Sequence, residues 1–182
     1  VKEEAAILGG NASLQLGTPT APTLSASGSG ATLPAATYSV IVAALTLEGY
    51  LNSTLAGGVA TTLTVTGNDG GQYTLGGGSS NRSANASLAV SAGQTLYATV
   101  PVVNGAVAYA WFVGSAGSET LQAITTINSA AFSAALAGGR QAATAIAQDN
   151  SFNPNLAFNG LLTTAFAAGS NAYVQALPSG TA

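Results

Sequence analysis

Four carboxylates are the only acidic side chains in the long middle part of the chain. They are Glu48, Asp69, Glu119 and Asp149. A glycosidase would need one carboxyl group with a raised pKa beside an ionised partner, and a calcium site needs six or more oxygen ligands. No stretch of the chain has the alternating acidic spacing of such a site. We therefore expect ordinary solvated charges, with Asp69 in a turn and Glu119 in a Gly/Ser loop.

The composition disfavours most enzyme classes. The 182 residues include 3 Lys and Arg, 6 Asp and Glu, and neither His nor Cys, so imidazole bases, thiol nucleophiles and the usual zinc ligands are missing. No nucleophile elbow, phosphate loop or dinucleotide fingerprint occurs. We assign no catalytic, cofactor-binding or metal-binding residue, and we expect a protein that is not an enzyme and needs no cofactor.

Charge and hydropathy also bear on the partners. Three cations within a net charge of -3 form no basic stripe that could neutralise phosphates, so direct, sequence-specific binding of nucleic acid is not expected. The longest bulky apolar run, Val40 to Leu47, is far shorter than the about 20 residues of a spanning helix. We expect no membrane partner.

Two aromatic residues are candidates for an exposed contact. Trp111 could stack on a sugar, but its place on a predicted strand beside Tyr109 and Phe112 favours a core position. Tyr50, in a predicted turn, is compatible with a contact and equally with an ordinary exposed side chain. Asn-X-Ser/Thr sequons are expected to be incidental, because nothing else indicates a secretory pathway; they begin at Asn11, Asn52, Asn81 and Asn85.

From Thr18 to about Asp149 short runs of Thr, Val, Tyr and Leu alternate with Gly, Ser, Asn and Pro clusters, which is typical of an all-β sandwich or barrel. The run Tyr38–Leu45 is apolar on both faces, so it is predicted to be a central strand. We expect Val40, Val42, Trp111 and Phe112 in or near the core. The predicted strands are Tyr38–Leu45, Ala60–Thr66, Gln72–Leu75, Thr95–Val100, Tyr109–Val113, Thr120–Ile124 and Ser129–Ser133.

Two connections have distinct chemistry. The sequence Asn-Asp-Gly-Gly at 68–71 predicts a hairpin turn, because these residues tolerate positive φ angles. The polar stretch Gly76–Ser83 has few groups to bury and predicts a mobile surface loop.

The two ends of the chain differ from the middle. Residues 1–17 contain Gly9-Gly10-Asn11, which predicts the end of a helix. Residues 150–182 contain apolar residues at three- and four-residue spacing, which predicts an apolar helical face; these are Leu156, Phe158, Leu161, Leu162, Ala165 and Phe166. Because neither flank belongs naturally to a β-sandwich, we interpret them as parts of a host domain interrupted by an insertion at 18–149. The chain is expected to be a piece of a longer polypeptide.

Short motifs in the flanks resemble those of tailed-phage major capsid proteins. Glu4–Asn11 resembles a helix end at which an acidic residue precedes an apolar pair and a Gly/Asn-rich turn. Phe158–Leu162 resembles the Gly-Leu-Leu segment that follows that turn. The two motifs lie close together in the plain capsid fold, whereas here the β-rich zone separates them.

The β-rich zone resembles the immunoglobulin-like and fibronectin type III-like modules of phage virion proteins. Leu33–Tyr38 is similar to their tyrosine-corner strand, and Glu48-Gly49-Tyr50 follows where those modules turn. Gly105–Gly114 is similar to their central, Tyr-containing strand. The corner strand precedes the central strand, which reverses the usual order, so a permuted sandwich is one interpretation.

These resemblances imply a structural component of a bacteriophage capsid shell, located in the virion. The insertion would project from the shell and contact neighbouring subunits or the surroundings. Its partners would be copies of itself in an icosahedral lattice, with other virion proteins and host-surface glycans as further candidates. The alternative is an extracellular immunoglobulin-like adhesion or carbohydrate-binding module, which would need no helix at either end.

Overall fold

The computed structural model describes residues 15–66 and 70–151. These residues are mainly β, with the short helix α1 (Leu47–Asn52) and a 3₁₀ turn at Ala143–Ala145. The strands in chain order are β1 (Thr23–Ser27), β2 (Ala36–Leu45), β3 (Thr62–Thr66), β4 (Gln72–Gly76), β5 (Ala86–Val90), β6 (Thr95–Thr99), β7 (Ala108–Gly114), β8 (Thr120–Thr125) and β9 (Ser129–Phe132). The helical features predicted in the flanks lie outside the described residues.

Two antiparallel sheets pack face to face. One has the order β1-β6-β9 and the other the order β5-β2-β7-β8, while β3 and β4 form a separate hairpin. The mainly β, antiparallel architecture predicted from the alternating apolar runs is therefore confirmed. The arrangement is a β-sandwich of 3 and 4 strands.

An inner core fills the space between the sheets. Val40 and Val42 of β2 and Trp111 of β7 are fully buried there, against Leu96 and Phe132 of the facing sheet. The Trp111 indole Nε1 donates to the Thr125 hydroxyl at 2.8 Å, so its one polar atom is satisfied inside the core. The predicted core positions of Val40, Val42 and Trp111 are confirmed.

An outer core covers the opposite face of the four-stranded sheet. Ile41 of β2 and Phe112 of β7 are buried here, beneath Val59 and Ile146 from irregular segments. Strand β2 is thus apolar on both faces and lies between β5 and β7, as predicted for a central strand. Phe112 is buried as expected, but in this second layer.

The prediction of a mobile surface loop at 76–83 is wrong. The segment lies along the edge of β2 that β5 leaves open, since β5 pairs only with Ala36–Val40. The backbone N–H groups of Ser80 and Ser83 donate to the carbonyls of Ala44 and Val42, both at 2.8 Å. Their hydroxyls accept the N–H groups of the same two β2 residues at 2.9 and 3.0 Å. Serine therefore completes the hydrogen bonding of a buried strand edge.

Close backbone approach explains the glycines that begin this segment. A Cβ at Gly49 of α1 would lie 2.3 Å from the carbonyl oxygen of Gly78. Gly78 also has a φ of +91°, which L side chains rarely adopt. The Gly-rich sequence here indicates tight packing of α1 against the segment rather than chain mobility.

All seven predicted strands exist, but two others were missed. The hairpin predicted around residues 68–71 is confirmed by the pairing of Val65 with Tyr73. This hairpin lies outside the sandwich. The two strands that were missed, β1 and β5, belong to the sandwich. Both missed strands consist mostly of Ala, Ser and Thr, whose weak alternation gave no signal.

The Tyr38 hydroxyl closes the turn that leads into β2. It donates to the carbonyl oxygen of Pro34 at 2.8 Å. Burial raises the pKa of the Tyr38 phenol above its usual 10.0, so the hydroxyl stays protonated and able to donate at neutral pH.

We expect Tyr38→Phe to lower the free energy of unfolding by about 1 kcal/mol, the usual contribution of one such bond. Urea unfolding followed by Trp fluorescence would measure it. Tyr97→Phe is the matched control, because Tyr97 is 40% exposed and no hydrogen bond of its hydroxyl is found in the described part of the chain. Equal stability of the two variants would contradict the role of Tyr38.

Candidate functional site

Glu119 lies in a buried polar cluster, and the prediction that it is an ordinary solvated charge is wrong. The residue is 4% exposed and lies immediately before β8. Its Oε1 accepts the Ser39 hydroxyl at 2.5 Å, and its Oε2 accepts the Gly117 N–H at 3.1 Å. The Ser39 hydroxyl oxygen also accepts the Asn85 side-chain N–H at 3.1 Å.

The cluster acts as a structural clamp. Both carboxylate oxygens of Glu119 are engaged within the protein, and a buried carboxylate needs such donors to offset its lost hydration. The bonds join the β7–β8 connection to Ser39 of β2 and, through Asn85, to the start of β5. The sequence could not reveal this, because Ser39 and Glu119 are 80 residues apart.

We expect Glu119→Ala to lower the free energy of unfolding by about 3 kcal/mol, because it leaves the Ser39 hydroxyl and the Gly117 N–H without their acceptor. Glu119→Gln retains one oxygen acceptor, so a smaller loss is expected. Glu48→Ala is the control at an exposed carboxylate and should change stability by less than about 0.5 kcal/mol. Urea titration of the three variants checks this. An unchanged free energy of unfolding for Glu119→Ala would show that the clamp contributes nothing to stability.

Neither Glu48 nor Asp149 is a hydrogen-bond partner of Glu119 in the described residues. Glu48 is exposed in the first turn of α1 and accepts the Asn52 side-chain N–H at 3.1 Å, as expected for a solvated charge. Asp149 is half-buried and accepts the Ser151 N–H at 2.9 Å as well as the Ser151 hydroxyl. Asp69 lies outside the described residues. Across 15–66 and 70–151 no three acidic, His or Cys side chains are grouped to hold a metal.

The aromatic candidates divide clearly. Trp111 is inaccessible to any ligand, because it is fully buried between the sheets. Tyr50 is half-buried and packs against the outer core. Trp111 therefore forms no sugar-stacking platform, whereas part of Tyr50 remains exposed.

Both ends of the described chain meet at one end of the sandwich. We call this the proximal end: here residues 15–22 lead into β1, and loops 100–107 and 126–128 join the two sheets. The Leu16 N–H donates to the Ser151 hydroxyl oxygen at 2.7 Å. Leu16 itself is buried in the inner core, so the incoming chain is anchored where the outgoing chain departs.

At the opposite, distal end the tight turns consist of small, neutral residues. Its tight connections at 28–31, 91–94 and 115–118 consist of Gly, Ser, Ala and one Gln. Four of their glycines have positive φ angles between 83° and 92°, which suits tight turns. Within these three connections there is no charged residue and no large apolar one.

Three exposed aliphatic side chains lie in the loops of the proximal end. Val102, Val107 and Ile127 are 75%, 40% and 62% exposed, and we call these three the proximal patch. Val107 and Ile127 each lie two residues beyond the paired Tyr109 and Thr125. Loop 126–128 is in turn bonded to the Val102 loop, because the Val100 N–H donates to the Asn128 carbonyl at 3.0 Å.

A cleft of about 290 Å³ adjoins the patch. It separates the incoming chain from the Val102 loop and is lined by Gln15, Gly17, Thr18, Pro19, Thr20, Pro101, Val102, Val103 and Asn104. The incoming chain, the cleft and the patch therefore form one continuous surface.

In the described residues no helix has the length and apolar character to span a membrane. Comparisons of the chain with protein-family models, curated proteins and solved structures gave no match. A functional conclusion therefore depends on the chain's own residues and geometry.

Proposed function

We propose that the chain is a segment of a tailed-bacteriophage major capsid protein, in which residues 18–149 form an immunoglobulin-like insertion that projects from the shell. Its function is assembly and surface contact, not catalysis. Residues 1–17 and 150–182 would belong to the capsid host domain.

The observation that carries this proposal is the meeting of the two chain ends. A domain can be inserted into a host without disturbing it when its ends lie close together at the surface. The 2.7 Å bond between Leu16 and Ser151 meets that requirement within a few residues of the boundaries expected at 18 and 149.

Two features support an immunoglobulin-like identity. The bond from the Tyr38 hydroxyl back to Pro34 has the form of a tyrosine corner, which in such domains leads into a central strand. That strand, β2, has β5 on one side and β7 followed by β8 on the other. Strand F has the equivalent neighbours G, C and C′ in the immunoglobulin sheet. Because β2 and β5 precede β7 along the chain, the sandwich would be a permuted one.

The surface chemistry of the two ends supports an orientation in which the proximal end faces the shell and the distal end faces solvent. A proximal end with aliphatic side chains suits contact with other protein, whereas the small, neutral distal loops suit exposure to solvent. The buried Glu119, whose two oxygens are both bonded within the protein, favours a structural role over hydrolysis.

Cryo-electron microscopy of the parent particle tests the proposal. The chain should occur in many symmetric copies of an icosahedral shell, with the 28–31 connection outermost. Placement in a tail fibre, or in a secreted adhesin without a shell, would overturn the capsid assignment and favour the adhesion or carbohydrate-binding alternative.

Thiol labelling gives an independent measurement on intact particles, because the chain has no Cys. In the parent protein Ser29→Cys should react with a bulky maleimide, and the matched Thr126→Cys at the proximal end should be protected until the particle is dissociated. The unsubstituted particle gives the background. Equal labelling of both positions would contradict the orientation.

A further inference from the structure

We propose that the proximal patch is covered by residues 156–166 of the same chain, so that the sandwich is fixed to its host domain by an apolar contact as well as by its two peptide connections. The inference deepens the insertion architecture proposed above and rests on it. It assigns a partner to a surface that is open in the described residues.

The location of the patch is the first reason. The described chain ends at Ser151, which is bonded to Leu16, and residues flanking Leu16 line the cleft that contains Val102. Four residues lie between Ser151 and Leu156, so the five Cα-to-Cα steps span up to about 17 Å. The segment that begins at Leu156 can therefore contact the patch without any rearrangement of the sandwich.

The chemistry of the segment is the second reason. Its sequence places Leu, Phe and Ala at three- and four-residue spacing, with Thr163 and Thr164 between them. Such a stripe needs an apolar partner, and residues 152–182 contain no charged side chain that could oppose docking on a neutral surface.

The contrast between the two ends of the sandwich is the third reason. Scattered exposed aliphatic residues are common, but here strand register places Val107 and Ile127 at the same end. The bond from the Val100 N–H to the Asn128 carbonyl links the Val102 loop to them. The distal connections carry none. Loops that faced only solvent at both ends would show no such asymmetry.

Distances between spin labels on the 182-residue chain test the contact directly. Thr126→Cys lies beside the patch and Ser29→Cys lies at the distal end. Thr163→Cys replaces a polar residue between the apolar residues of the segment. The 126–163 pair should give a short, narrow distribution. The 29–163 distance should be longer by about 20 Å or more, since strands rise about 3.3 Å per residue. Equally broad distributions for both pairs would overturn the proposal.

Dilution with unlabelled chain distinguishes docking within one chain from docking by the segment of a second copy. An intramolecular contact leaves the 126–163 signal unchanged, whereas a segment delivered by a second copy would lose it, which would overturn docking within one chain. Because this measurement needs no particle, its failure would leave the shell experiment unaffected.

A charge at the patch gives a second readout. Ile127→Asp should increase the rate at which protease trims residues 152–182 by about tenfold, because one aliphatic contact is lost from the docked state. Ser29→Asp, a substitution at an exposed residue of the distal end, should leave the rate unchanged. Unfolding by urea should be similar for both variants. Identical trimming rates would contradict the contact.

Discussion

Trp111→Ala is expected to lower the free energy of unfolding by about 3 to 5 kcal/mol, a large share of the total stability of a domain of this size. The indole is fully buried between the sheets, and its ring centroid lies 6.4 Å from that of Tyr109. Its removal leaves a cavity that the facing strand β6 cannot fill. It also leaves the Thr125 hydroxyl without its indole donor.

Urea unfolding followed by far-ultraviolet circular dichroism measures this effect, since the variant lacks the only Trp. Trp111→Phe keeps a ring in the core and loses only part of the volume and the N–H donor, so an intermediate loss is expected. Leu51→Ala is the control at an exposed position of α1, where the side chain is 67% exposed, and should change stability by less than about 0.5 kcal/mol. A loss below about 1.5 kcal/mol for Trp111→Ala would mean that Trp111 does not fill the core as described.

The success with β2 and β7 shows what sequence patterns can predict here. Both strands carry large side chains at successive positions, and a run such as Val40–Leu45 has few alternatives to a strand buried on both faces. Trp111 followed from the same pattern. The fold class and the central strands were therefore accessible from local sequence alone.

Strands β1 and β5 could not be predicted from local sequence patterns. Each offers two apolar residues on its inner face, Leu24 with Ala26 and Leu88 with Val90. Their conformation depends on pairing with strands far away in sequence, β6 for β1 and β2 for β5. Such pairing is a property of the assembled sheet, because β propensity mainly reflects packing against neighbours.

Serine and glutamate caused the two wrong predictions for the same physical reason. Gly76–Ser83 has the composition of a flexible linker, yet Ser80 and Ser83 satisfy N–H and carbonyl groups of β2 that the short strand β5 does not reach. Glu119 has the sequence context of a surface charge, yet Ser39 and Gly117 satisfy both of its oxygens. A buried polar group depends on partners that only the fold supplies.

Because the two ends of the sandwich differ in chemistry, we expect an inserted epitope to have different effects on particle yield at the two ends. Insertion of a short epitope between Gly28 and Ser29 should leave particle yield within about twofold of the unmodified protein, because exposed tips of small residues tolerate insertions. Space is available there, since a Cβ at Gly28 or Gly30 would meet no atom within 4 Å. Intact particles should then be captured by antibody to the epitope.

The same epitope inserted between Thr126 and Ile127 is the matched variant, and it should reduce particle yield by more than about tenfold. Thr126 and Ile127 are both exposed in the sandwich itself. One hydrogen bond, from the Thr125 hydroxyl to the Ile127 carbonyl, spans the insertion point, and its loss would cost about 1 kcal/mol, too little to unfold the sandwich. The loop is also tied on one side to Val100 through Asn128. Intolerance there would arise from contacts with the host domain and neighbouring subunits, which the insertion would separate. Equal yields for both variants, or antibody capture through the proximal epitope and not the distal one, would contradict a sandwich that stands on the shell by its proximal end.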